Sequence, residues 1–424
     1  MKYNYYKHQL EAIEHIKNHQ GNCLIADPPR LGKTAPAIGY AFQQDQLPCL
    51  IVCPNTVVVK WQREVKAITE SDAYIIKNSK AFNIQDTKFI IIPYSLLAKQ
   101  AKALEAVRFK QIIYDEAHRL KNSKAQVTKA AHKYLKDAPS ILLTGTPILN
   151  APKELWSLFV LLGVSDKVSL NEFTFQKHFC DGHKEFIHVG NGQYKDVWRA
   201  DGISNEQELN GLIQKHAGFL RRSFQECWSS SCQKIIQGNE YLDVKLTIEQ
   251  DKILAEFANT GKQTAKIKSI RRDIGIRKTK KSVTWIKSWL EFNSGKLIVF
   301  AHHIDVQNGL LELLKKLKPA IIKGGMKTSE RDRQVELFQN DAKCRLAILS
   351  IKASSEGITL DRADHVVFVE YDYTPASNWQ AMNRGYSIGM EAPLGVTFLV
   401  VPNSYDERIL DIIRDKQIVI EKAI

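Results

Sequence analysis

The segment Leu24-Ile25-Ala26-Asp27-Pro28-Pro29-Arg30-Leu31-Gly32-Lys33-Thr34 constrains this chain more than any other. It reads as a short apolar strand, a tight loop, and Gly-Lys-Thr opening a helix that continues through Ala37, Ile38 and Tyr40. A loop at a helix start presents unpaired backbone N–H groups and the positive end of the helix dipole, which suits a polyphosphate. In such a loop Lys33 is expected to reach the β- and γ-phosphates and the Thr34 hydroxyl to ligate Mg²⁺, with Arg30 and Gly32 lining the same nucleotide-binding turn. A Walker loop opens with glycine, and here that position is Asp27. Gly-Lys-Thr by itself is a weak signal. It gains weight from Ile112-Ile113-Tyr114-Asp115-Glu116-Ala117-His118, a hydrophobic run ending in paired acids. Asp115 is expected to hold Mg²⁺ and Glu116 to polarise the attacking water. The plainer alternative for the acid pair is a solvated strand end.

At 424 residues the chain exceeds what one core can serve, and two or three domains are expected. Its 44% hydrophobic and 25% charged residues are those of globular protein, but the formal net charge of +14 favours a polyanionic partner, nucleic acid first. A merely basic protein is the alternative. Met1-Lys2-Tyr3-Asn4-Tyr5-Tyr6 lacks the apolar core of a signal peptide, and no apolar run is long enough to span a membrane. Seven cysteines without a Cys-x-x-Cys pair fit a reducing interior, so a cytoplasmic location is expected, or a nuclear one in a eukaryote. Cys180, His183, Cys227 and Cys232 could supply four zinc ligands, but their spacings are loose and no zinc site is expected.

Along the chain, Tyr6-Lys7-His8-Gln9 precedes an amphipathic helix carrying Leu10, Ile13 and Ile16. Gln9 is a candidate adenine reader, because its amide can both donate and accept; an ordinary surface glutamine is the alternative. Cys49 to Pro54, Phe89 to Ser95, Gln111 to Tyr114 and Ser140 to Pro147 read as buried strands, and Val58 to Ile68, with Trp61 and Glu64, as a helix. Continuous apolar strands alternating with helices argue for a parallel sheet covered on both faces, with ligands beyond the strands' C-terminal ends.

From about Gly163 the pattern changes. Phe173 to Cys180 reads as helical, and two β-rich arms, Glu185 to Val189 and Gln193 to Trp198, flank Gly190-Asn191-Gly192 as a hairpin. Glu206 to Phe219 and Thr247 to Thr260 read as helices. A basic stretch follows, with Lys262, Lys266, Lys268, Arg271, Arg272, Arg277, Lys278, Lys280 and Lys281, as either a solvated face or a phosphate contact. Alternation resumes with strands at Lys296 to Phe300, Ala320 to Ile322, Leu346 to Leu349, Val366 to Val369 and Val396 to Val400, and a charged helix from Asp406 closes the chain. The expected fold class is α/β: two parallel-sheet lobes, 1–162 and 283–424, with a helical and β-hairpin insertion at 163–282 between them.

Taken together, these motifs resemble the superfamily 2 helicase-type ATPases, and within them the SNF2 class, over almost the whole chain. The residues that carry the likeness are Ala26-Asp27 at the phosphate loop, Trp61 and Glu64 after the strand Leu50 to Pro54, Thr144 to Asn150 with Glu154-Leu155-Trp156, Ser350 to Leu360 with Gly357, and Pro375 with Gln380 to Arg384. Phe300-Ala301-His302-His303, Ser269 to Gly275 and Phe179-Cys180-Asp181-Gly182 are similar to the fork-remodelling, annealing-helicase branch. Without the accessory recruitment domains usual in eukaryotic members, a minimal phage or bacterial version is expected. The resemblance implies two RecA-like lobes sharing ATP and Mg²⁺. Gln9, Lys33, Thr34, Asp115 and Glu116 would come from one lobe, and Gly357 and Arg384 from the other. It further implies a monomeric motor on double-stranded or branched DNA, touching mainly the phosphate backbone through Lys60, Tyr94, Ser95, Arg271, Arg272, His302, His303, Lys352 and Ser355. An aromatic hairpin at 185–198 would suit a wedge at a junction, or would simply pack on its own domain.

The chain departs from the family pattern in three places. Arg30 replaces a glycine, and Pro28-Pro29 removes N–H donors from the phosphate loop. Ser387 stands where a second arginine is usual, and such an arginine is worth roughly 10³–10⁵ in turnover. Met390 replaces a glutamine. Two other functions therefore stay open: an ATP-binding DNA clamp with little turnover, and, because Asp-Glu-Ala-His occurs there too, an RNA-directed helicase.

Overall fold

In a computed structural model, the chain is described at residues 3–80, 82, 84, 86–190, 193–227, 235–247, 250, 265–351, 358–386 and 393–424. It divides into two compact units, Met1–Ser229 with Gln417–Ile424, and Ser230–Lys416. The segment 163–282, expected as an insertion of its own, is shared between them. Phe175, Phe179, Leu209 and Ile213 complete the first core, and Leu242 belongs to the second.

The first unit is built on a seven-stranded sheet of order β3-β4-β2-β5-β6-β1-β9. The strands are β1 Cys23–Ile25, β2 Cys49–Cys53, β3 Ala73–Ile75, β4 Phe89–Pro93, β5 Gln111–Asp115, β6 Ser140–Leu143 and β9 Phe219–Leu220, and every ladder is parallel. Side chains of β1, β2 and β4 are buried throughout, as expected for strands covered on both faces. The helices are α1 Lys7–Asn18, α2 Thr34–Gln43, α3 Val58–Thr69, α4 Tyr94–Glu105, α5 Gln126–Tyr134, α6 Leu155–Leu161, α7 Glu172–Phe179 and α8 Glu206–His216. α1 turns Ala12, Ile13 and Ile16 inward. α2 accepts Pro36 because that residue lies in the first turn, where an N–H has no helical partner. Phe219, read as the end of a helix, instead begins β9 and pairs with Leu24. Two arms, β7 His183–Gly190 and β8 Gln193–Arg199, form a separate antiparallel hairpin.

The second unit holds a six-stranded parallel sheet of order β10-β15-β14-β11-β13-β12. Its strands are β10 Ile236–Tyr241, β11 Leu297–Ala301, β12 Ala320–Ile322, β13 Leu346–Ser350, β14 His365–Phe368 and β15 Gly395–Val400, and its helices α9 Ala265–Phe292, α10 Ile304–Leu314, α11 Thr328–Asn340, α12 Pro375–Met382 and α13 Tyr405–Ala423. α13 begins in this unit, and its last residues, Ile420 and Ala423, lie in the core of the first. The helix expected at Thr247 to Thr260 falls mostly outside the described residues. Among those residues no helix is long and apolar enough to cross a membrane.

From Ala265 onward, the described part of the basic stretch lies in a single 28-residue helix, α9. Part of its charge is internal: Lys278 is 0% exposed, donating to Asp406 Oδ2 at 2.7 Å and to Leu399 O at 3.0 Å. Asp406 also accepts from Val401 N at 3.1 Å; burial pushes its carboxyl up, against the pull of Lys278. Removing one partner of a buried pair leaves an uncompensated charge, which is costlier than replacing both by apolar groups. Asp406→Asn should therefore lower unfolding stability by about 3–5 kcal/mol, and Lys278→Met with Asp406→Leu should recover most of it, as read from denaturant midpoints.

Candidate functional site

β1 delivers the chain to the C-terminal edge of the first sheet, and residues 26–33 turn there before α2 begins at Thr34. Asp27, where a Walker loop has glycine, is 2% exposed and pairs with Arg222 just beyond β9. Its Oδ1 accepts from Arg222 N at 3.0 Å and its Oδ2 from Nη2 at 2.5 Å, while Arg222 Nη1 donates to His8 O at 2.7 Å. The carboxylate thus ties the loop to the neighbouring strand. α1 holds the other side: His8 Nε2 lies 3.0 Å from Leu31 O, and Gln9 Nε2 donates to Gly32 O at 3.2 Å. Gln9 Oε1 accepts from Tyr6 N at 3.0 Å, so the amide considered for adenine reading is engaged on the loop and on its own helix start.

Gly32 has φ +70°, and a Cβ there would stand 2.5 Å from Gln9 Nε2. Arg30 adopts φ +77°, a left-handed conformation that glycine enters without steric cost. Lys33 Nζ donates to Asp27 O at 2.6 Å and to Pro28 O at 3.1 Å. Removal from water lowers its pKa, opposed by Glu116, Asp27 and Asp115, whose charges reach it.

β5 places the acid pair at the same edge. Asp115 Oδ2 accepts from Trp61 Nε1 at 2.7 Å, and its carbonyl from the Tyr94 hydroxyl at 2.9 Å. Burial, then the neighbouring Glu116, pushes the Asp115 carboxyl up to about 6, against the Trp61 bond and Lys33. Glu116 has φ +52° and its Oε2 lies 3.3 Å from His118 Nδ1. His118 Nδ1 is 2.9 Å from Thr144 Oγ1, which accepts from Thr146 N at 3.1 Å. Burial, with Arg119 and Lys121, pushes His118 down to about 3, so the ring is neutral at physiological pH. Glu154 clips the following loop, accepting from Leu149 N, Asn150 N and Lys121 Nζ. The oxygen donors of Thr34 and Asp115 suit Mg²⁺, which retains waters and needs few protein ligands. Among the described residues no cluster of three or more His, Cys, Asp or Glu could hold a metal.

The residues expected on DNA divide. Lys60 is exposed on α3, and Ser95 is exposed with its hydroxyl donating to Asn55 Oδ1 at 2.8 Å. Tyr94 is a correction: it is 8% exposed and supports Asp115 from within. Arg271 is another, being buried with Nη2 donating to Tyr371 O at 2.5 Å. Arg272 is exposed and paired with Asp305 at 2.6 Å. His302 and His303 follow β11, half-buried, and burial with Arg271 and His303 pushes His302 down to about 4. Arg384 Nη1 donates to Ile358 O at 3.1 Å. Lys352, Ser355, Gly357, Ser387, Met390 and Cys232 lie outside the described residues. Cys180 packs in the first core. Sequence reasoning missed Arg222, His118 and Asn55; the run Leu220-Arg221-Arg222 was visible, but not its distant partner Asp27.

The family model described as the SNF2-related domain matches residues 5–293, and that of the helicase conserved C-terminal domain matches residues 280–389. The two together define a helicase-type core of two sheet-built units. The chain belongs to the SNF2-related family. It is 29% identical over 422 residues to a Drosophila melanogaster protein named SWI/SNF-related matrix-associated actin-dependent regulator of chromatin subfamily A-like protein 1, covering 95% of this chain and 54% of that one. It is likewise 29% identical to the human DNA annealing helicase and endonuclease ZRANB3, covering 94% of this chain and 38% of that one. The chain thus spans about half the length, or less, of these curated relatives. A solved Sulfolobus solfataricus SWI2/SNF2 ATPase core in complex with dsDNA aligns with a TM-score of 0.48 at 22% identity, covering 100% of this chain and 94% of that one.

Gly32→Ala meets both a positive φ and the Gln9 amide. It should weaken nucleotide binding by more than about tenfold, about 1.4 kcal/mol, while leaving duplex affinity in nucleotide-free protein unchanged, as titrations of each ligand would show.

Proposed function

We propose that the chain is an ATP-driven translocase on double-stranded or branched DNA, able to regress forks, migrate branches or anneal strands. The observation that supports this best is the meeting of Lys33, Asp115 and Glu116 charges at one sheet edge, in a chain of net charge +14. Lys33 exchanges its loop carbonyls for the β- and γ-phosphates. Thr34 and Asp115 would hold Mg²⁺, which would supply charge neutralisation on the phosphates. Glu116 orients the attacking water, with neutral His118 linking it to Thr144 and the 144–154 loop. Arg384 is a candidate cation for the triphosphate.

DNA is held through phosphates rather than base edges, by Lys60, Ser95, His302 and His303, so binding is salt-sensitive and poorly sequence-specific. The β7–β8 hairpin is the candidate wedge. Trp198 Nε1 donates to Gln176 Oε1 at 2.7 Å, and the Trp198 ring packs 4.7 Å from that of Phe173. Farther out on the same face, Phe186 and Tyr194 are 73% and 69% exposed.

ATP hydrolysis should rise on adding duplex or forked DNA and respond less to duplex RNA, whose A-form grooves differ in shape. Lys33→Ala and Glu116→Gln should each abolish the stimulated rate, and deleting residues 186–197 should remove fork regression while sparing it. Absence of any DNA stimulation would favour the clamp reading.

A raised Asp115 pKa sets the pH response. Below about 6 the carboxyl is protonated and cannot ligate metal; above it the ligand is available. Mg²⁺-dependent nucleotide affinity should therefore fall as pH drops through that value and level off above it, measured by Mg²⁺ titration about one unit to each side.

A further inference from the structure

Two sequence stretches that mark the fork-remodelling likeness, Ser269 to Gly275 and Phe300 to His303, converge on one buried carboxylate in the second unit. Glu370, just past β14, is 4% exposed. Its Oε2 accepts from the backbone N–H of His302 at 2.8 Å and of His303 at 2.9 Å, and its Oε1 from His303 Nδ1 at 2.6 Å. Those N–H groups immediately precede α10, whose N-cap is His303. The carboxylate therefore occupies the place where a helix start favours an anion. Burial alone would raise its pKa, but the bonds from His303 and the charge of Lys278 hold it below the usual carboxylate range.

α9 closes over the same group. A Cβ at Gly275 would stand 2.6 Å from Glu370 Oε1 and 2.9 Å from Val306 Cγ2, so glycine leaves the room the carboxylate fills. One turn earlier, Arg271 donates to Tyr371 O and lies 4.5 Å from the Tyr373 ring centroid. Nearly one turn later, Lys278 stands 5.3 Å from the Tyr371 ring centroid and pairs with Asp406. Positions 271, 275 and 278 share one helical face, and that face grips residues 370–373.

We infer that Glu370 is a positioning residue for DNA binding: it fixes the backbone and ring of His303 so that Nε2 is the nitrogen presented to a backbone phosphate, and it bars that phosphate from the start of α10. This rests on the DNA reading above. With Nδ1 engaged by Glu370 and no bond to Nε2 among the described residues, the ring has one defined approach. With Nδ1–H donating to Glu370 and Nε2–H to phosphate, the bound ring is the imidazolium form, and the buried carboxylate compensates its charge. The second bar is electrostatic: a phosphate at the two N–H groups would displace a bonded carboxylate of its own sign.

Glu370→Gln and Gly275→Ala test this from two sides, one removing the charge and the other crowding it. Each should raise the DNA concentration for half-maximal ATPase at least about fivefold, with kcat at saturating DNA unchanged. Each should lower the slope of log affinity against log salt by about 0.9, the loss of one phosphate contact. Glu370→Gln combined with His303→Ala should bind DNA no worse than His303→Ala alone, since the two act as one unit. Additive losses, wild-type slopes, or a lowered melting temperature with an unchanged slope would overturn the inference. A wild-type protein without salt-dependent duplex binding would instead overturn the functional reading on which it stands.

Discussion

A parallel sheet covered on both faces has one place for polar chemistry, the C-terminal edge of its strands, and the charged groups there must be satisfied before any ligand arrives. The first unit shows how. Lys33 donates to two carbonyls of its own loop, Asp115 accepts from Trp61, and Asp27 is paired with Arg222. The second does the same with Glu370 under His302 and His303. Each partner is a backbone group or a side chain from an adjoining element, so the edge is held rigid with little stored reorganisation. Lys33 is the exception by design of its neighbours. Neutral carbonyls are weaker partners for an ammonium than phosphate oxygens, so a triphosphate can take it from them.

What was legible in the sequence follows from the same constraint. Strands such as Cys49–Cys53 and Phe89–Pro93 are apolar at every position because both faces are buried, and such runs stand out against helical periodicity. β10 carries Ile-Gln-Gly-Asn-Glu-Tyr and is exposed along its length, and β9 has two residues; neither offers an apolar run to read. The phosphate loop and the acid pair were legible because the chemistry fixes residue types within a few positions. The Asp27–Arg222 pair joins residues 195 apart, and nothing local to either announces the other. Tyr94 and Arg271 failed for a different reason: a polar tip at a strand end or on a basic helix looks the same in sequence whether it faces water or a buried carbonyl.

The basic helix α9 bears on what net charge can establish. A count of Lys and Arg treats all cations as available to a polyanion, yet Lys278 is enclosed beside Asp406, Arg271 is bonded to Tyr371 O, and Arg272 is paired with Asp305. These three serve the packing of the second unit before they serve any ligand. On the proposed reading, steering of DNA would come from cations in water, such as Lys60 on α3, and the helix would contribute by fixing what stands behind the histidine loop.

Backbone conformation carries the argument one step further at the nucleotide loop. Arg30 at φ +77°, Gly32 at φ +70° and Glu116 at φ +52° place three left-handed residues on the loop and the acid pair it faces. A non-glycine residue in that region persists when its surroundings over-determine it. Here the surroundings are the first turn of α1, with His8 on Leu31 O and Gln9 on Gly32 O, together with Arg222 reaching both Asp27 and His8 O. The loop has given up N–H donors to Pro28 and Pro29, and rigidity imposed from α1 and β9 compensates by holding the remaining N–H groups in place. The start of α1 is thus a structural part of the candidate phosphate loop.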